Sequence, residues 1–145
     1  MKDKALETKL RVLTLQLDSW KKLHDFITYG LDKAKPIISA EQERQFTEVR
    51  AYLLQETAFV FKELDLLGEL SGKAMNVLQR ASSIRGVRDL TNEEVRRLEM
   101  EWNGVFTKLG VLQGQLKAQR KELARMNPLK YYLNRALRRP VLATS

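Results

Sequence analysis

The sequence predicts an all-α fold: an antiparallel up-down-up bundle of three long helices, followed by a short, amphipathic, basic C-terminal helix. Three observations predict it. Apolar residues recur at alternating steps of three and four over long stretches, the period of a helix face packed against neighbours. Only seven Gly and three Pro punctuate 145 residues, and Pro36, Pro128 and Pro140 fall where the apolar period breaks. Two Ser/Thr-x-x-Gln/Glu boxes stand where new periods begin, each able to satisfy two of the backbone N–H groups left free at a helix start. A chain of this length encloses one core, so residues 1–145 read as a single domain.

The first helix is expected over about residues 4–29, with Leu6, Leu10, Leu13, Leu17, Trp20, His24 and Ile27 on its seam. Tyr29-Gly30 offers a left-handed stop, and Lys35-Pro36 forces the chain out of helical geometry. Ser39 with Gln42 starts the second helix, whose seam runs from Phe46 through Leu53 and Val60 to Val77 and Ile84, so that it can span about 40–84. Gly68, Ser71 and Gly72 weaken it midway, each glycine costing about 1 kcal/mol against Ala, and a kink or full break near Gly68–Gly72 competes with continuity. Residues 82–90 lose the period. Thr91 with Glu94 then opens a third helix over about 92–126, with Val95, Leu98, Trp102, Val105, Leu109 and Leu116 on its seam. Pro128 permits a fourth helix over about 128–139, with Leu129, Tyr132, Leu133, Ala136 and Leu137 on one face.

These lengths do not match. At 1.5 Å per residue the first helix spans about 39 Å, the second about 66 Å and the third about 53 Å. Residues 70–98 would project as a two-helix hairpin with an apolar seam, including Val77, Ile84, Val95 and Leu98, that needs a cover. The cover is a second copy, a different protein, or the second helix itself, broken at Gly72 and folded back.

Charge is uneven. The net +8 divides into +3 over residues 1–40, −4 over 41–70 and +9 over 71–145. From Lys117 onward, Lys117, Arg120, Lys121, Arg125, Lys130, Arg135, Arg138 and Arg139 face Glu122 alone. Such an end attracts phosphate, acidic lipid or an acidic protein face, or serves only as a solvated surface. No apolar signal-peptide core and no apolar run of about eighteen residues is present, which gives a cytoplasmic expectation.

Chemistry is thinly represented. With no Cys and one His, disulfide frameworks, zinc ribbons, thiol nucleophiles and histidine-rich metal cages are excluded. Glu56 and Glu63 sit seven apart on the second seam, as in di-metal bundles, but those sites want Glu-x-x-His on two helices, and a shift of phase moves both glutamates to the flank. His24 reads as a bundle-edge histidine bonded locally, and Trp20 and Trp102 as core residues that face each other or share a layer. A second stripe on the third helix, Asn103, Thr107, Gly110, Gly114 and Ala118, is small throughout and suits a close helix contact with the second helix, the fourth, or another subunit. The C-terminal helix joins an apolar stripe, Tyr131, Tyr132 and the basic cluster. It suits docking on the bundle, an anionic membrane surface, or nucleic acid or an acidic partner. No phosphate loop, catalytic triad or family signature is present.

The expected function is therefore a non-catalytic helical interaction or assembly module, self-associating through apolar stripes, with no cofactor and no metal. A homo-oligomer, in its simplest form a dimer, and an acidic protein are the expected partners. Non-specific binding of nucleic acid through the basic end is the alternative, and neither a membrane surface nor a small-molecule substrate is expected.

Overall fold

A computed structural model describes residues 3–36, 38–66 and 68–126 as five helices: α1 (Lys4–Leu31), α2 (Ala40–Glu63), α3 (Glu69–Arg80), α4 (Ile84–Arg88) and α5 (Asn92–Arg125). Among the described residues there is no strand, and no helix is long and apolar enough to cross a membrane. The segment expected as a C-terminal helix over 128–139 lies outside the described residues.

Helix starts follow the sequence closely. Asp3 caps α1 by accepting from the N–H groups of Ala5 and Leu6 at 3.0 and 3.2 Å. Both capping boxes form: Ser39 Oγ accepts from Gln42 N–H at 3.1 Å while Gln42 Oε1 accepts from Ser39 N–H at 2.8 Å, and Thr91 and Glu94 do the same for α5 at 3.2 and 3.0 Å.

The second helix departs from the continuous 40–84 reading. It stops at Glu63, and α3 runs back along it; between the two helices Asp65 takes φ 59° and Gly68 φ 102°. Gly68 is the residue that permits the turn, because its backbone lies where a Cβ would be strained. The break precedes Gly72, which is helical inside α3 and faces open space. Folded back, α3 packs on both α2 and α5, so the 70–98 seam is covered from within the chain. Val77, Ile84 and Leu98 are fully buried, while Val95 is half-buried. No projecting hairpin forms.

Four helices therefore surround the core in place of three. α1 packs against α2 and α5, and α3 against α2 and α5. Paired residues give the directions. Along α1 and α5, Glu7 meets Arg120, Thr14 meets Gln113 and His24 meets Glu99, an antiparallel run. Phe26 meets Phe46 edge-on and Gln16 lies beside Tyr52, so α1 and α2 are antiparallel as well. Trp20, Phe46, Phe61, Leu13 and Leu23 fill the centre without solvent exposure.

α4 is a five-residue helix within the stretch where the apolar period is lost, and it fastens one end of the bundle. The Glu43 carboxylate of α2 accepts from Ile84 and Arg85 N–H at 2.9 and 3.0 Å, occupying orphan donors at the start of α4. Arg88 Nε donates to Gly30 carbonyl at 2.8 Å, closing the end of α1. Gly30 thus is not the left-handed stop suggested by Tyr29-Gly30. It stays helical and lets Ile84 approach, since a Cβ there would lie 2.9 Å from the Ile84 carbonyl oxygen.

Candidate interaction groove

The first half of α1 and the last half of α5 run side by side, tied by Thr14–Gln113 at 3.3 Å and Glu7–Arg120 at 3.5 Å. Between them lies a groove of about 460 Å³ lined by Glu7, Leu10, Arg11, Thr14, Leu15, Lys117 and Arg120. Leu10 belongs to the core, at 4% exposed, whereas Leu15 on the same helix is 51% exposed. Leu15 lies off the seam that α1 buries, so about half of its surface stays in water. Arg11 on α1 and Lys117 on α5 have no carboxylate within 4.0 Å among the described residues. Arg120 has Glu7, but both are substantially exposed and the pair is screened by water. The groove therefore presents an apolar surface edged by cations on both helices.

Of the expected basic contact residues, Lys117 and Arg120 come together here. Lys121 and Arg125 are exposed further along α5, Arg125 lying 3.9 Å from Glu122 of its own helix. Lys130, Arg135, Arg138 and Arg139 lie outside the described residues. The small stripe is not used inside the described chain: Gly110 and Gly114 are exposed, and a Cβ on either would meet nothing within 4 Å.

The remaining candidates are structural in their surroundings. His24 Nε2 lies 2.9 Å from Glu99 Oε2, and its ring stacks on Trp102 at 4.0 Å. Trp102 stacks in turn on Phe106 and donates its indole N–H to the Trp20 carbonyl at 2.9 Å, so the two tryptophans share a layer. Glu56 is half-buried and Glu63 exposed. Burial raises the Tyr52 phenol above its ordinary pKa, and the nearby charge of Glu56 adds to the shift. No group of three His, Asp or Glu side chains able to hold a metal occurs among the described residues.

Two parts of this picture escaped the sequence. Arg11 and Leu15 carried no motif, although a leucine outside the seam was a usable signal. The Glu43–α4 clasp had none, because its partners are 41 residues apart. The chain matches no protein-family model, no curated protein and no solved structure, so its own surface is the basis for a functional reading.

Proposed function

We propose that this protein is a non-catalytic helical interaction module that recruits an acidic protein through the α1–α5 groove. The observation that carries the reading is the exposed Leu15 in a groove it shares with Arg11 and Lys117, two cations with no carboxylate within 4.0 Å among the described residues. Long-range attraction brings an acidic face to this end, and burial of Leu15 holds it there. Self-association through the 70–98 seam is not part of this proposal, because that seam is covered within the chain. The test is affinity capture from the native cell with the wild-type chain and with an Arg11→Glu, Lys117→Glu variant, both after nuclease treatment. An acidic protein held by the wild type and lost by the variant is expected. Capture that nuclease abolishes would contradict the reading.

Nucleic-acid binding keeps one supporting observation, the exposed Lys117, Arg120, Lys121 and Arg125 along the last turns of α5. Such binding would rest on phosphate contacts and would weaken steeply between about 50 and 200 mM salt, whatever the sequence offered.

A further inference from the structure

From the shape and charge of the groove we infer that its occupant is an acidic amphipathic helix of a partner protein, an inference that rests on the function proposed above. The groove lies between two antiparallel helices whose backbone groups are bonded internally, so an extended peptide would find no strand edge to pair with. Its exposed apolar side chain, Leu15, lines it together with the core residue Leu10 of α1, and the groove is shared with Arg11 of α1 and with Lys117 and Arg120 of α5. The complement is an apolar stripe with carboxylates on both flanks, which is the face of an amphipathic helix with anchors at i and i+3 or i+4. From Glu7 to Leu15 the groove follows α1 for about 12 Å, enough for two turns of such a helix.

Other ligands fit less well. Among the described residues no aromatic side chain lines the groove for a nucleic-acid base to stack on. The chain's own segment 128–139 carries four cations and no carboxylate, so its charge has the wrong sign for this site. Neither of two other concavities offers the same combination. The one between α1 and α2 mixes Lys22 with Asp25 and Glu48, and the one beside Met100 has Arg97 already paired with Glu93 at 3.4 Å.

The experiment uses the full chain and fluorescence anisotropy. One probe is a labelled helical peptide of about 16 residues, roughly 24 Å long, with leucines on one face and glutamates flanking them. The others are the same composition shuffled so that the leucines share no face, and a single-stranded DNA of equal length. The stripe peptide is expected to bind, the shuffled peptide and the DNA at least about tenfold more weakly, and both Leu15→Ser and the pair Arg11→Glu, Lys117→Glu should cost the stripe peptide about tenfold. All three sites are exposed, and unchanged thermal melts verify the fold of each variant. Equal binding of the two peptides, both sensitive to Arg11→Glu, Lys117→Glu, would overturn the helix while leaving an acidic partner in place. DNA binding tightest, or no acidic peptide binding, would overturn both. A dimer of the wild-type chain lost in the charge-reversed variant would assign the groove to a second copy and overturn the partner helix.

Discussion

Gly30 shows how a single missing methyl group decides a contact. Its Cβ would meet the backbone of α4 at Ile84, which cannot rotate aside as a side chain can. Gly30→Ala is therefore expected to destabilise the fold by about 1–3 kcal/mol, the usual cost of overpacking, although alanine is the better helix former. A denaturant melt of the variant checks this, and equal or greater stability would contradict the close packing of α4. Thr57 makes the opposite case. It is 1% exposed, and its hydroxyl has no hydrogen-bond partner among the described residues. Thr57→Val replaces an unsatisfied polar group with a methyl and should stabilise by about 1 kcal/mol, read from the same melt. Gln16 is more constrained, because its Oε1 accepts from Trp20 Nε1 at 3.0 Å while its Nε2 lacks a partner. Its carbonyl holds the Trp20 ring, so removing the side chain would orphan the buried indole N–H.

Local chemistry sets most of the helix boundaries. Thr91→Ala removes the cap of α5 and should cost about 1 kcal/mol. Glu94 adds a pH dependence. Its carboxylate accepts from the Thr91 N–H, which lowers its pKa below the ordinary 4.5, so the folded state favours the ionised form. That contribution is present above the ordinary carboxylate range and fades as pH falls through the lowered folded value. The melting temperature of the wild type should therefore fall further on acidification than that of Glu94→Gln, and parallel curves would contradict the capping geometry. Gly68 is the other boundary. At φ 102° and ψ −129° it occupies a region open essentially to glycine, and Gly68→Ala should cost about 1–3 kcal/mol. These features were legible in the sequence to different degrees. The caps at Ser39 and Thr91 were readable because their partners lie three residues away. The apolar seam from Phe46 to Ile84 stayed in phase across the turn, so periodicity alone gave one long helix, and the Gly68, Ser71 and Gly72 cluster hinted at the reversal, which falls at its first member. The α4 clasp and the groove were not legible, since Glu43 with Ile84, and Arg11 with Lys117, meet only in three dimensions.

For the whole molecule, the fold-back of α3 decides what surface remains to interact. A straight 40–84 helix would leave an apolar hairpin and call for a second copy. The broken helix buries that seam against α2 and α5 and leaves the cationic groove with Leu15 as one exposed apolar surface, beside Phe59, Met100 and Val111 elsewhere on the described helices. Charge follows the same division: residues 41–70 carry −4, half of it on α2, while an excess of basic residues runs along α5 and beyond. On the proposed function, the association rate of an acidic partner should fall with ionic strength over the range where the Debye length shrinks from about 10 Å at 0.1 M to about 3 Å at 1 M. The fold-back is open to direct measurement, because Thr47 on α2 and Gln79 on α3 are both exposed and Arg50 Nε lies 2.8 Å from the Leu78 carbonyl beside them. Spin labels at 47 and 79 in the full chain report the distance by pulsed electron resonance. The account predicts a separation below about 25 Å, whereas about 48 Å, the length of a continuous helix between those positions, would contradict it.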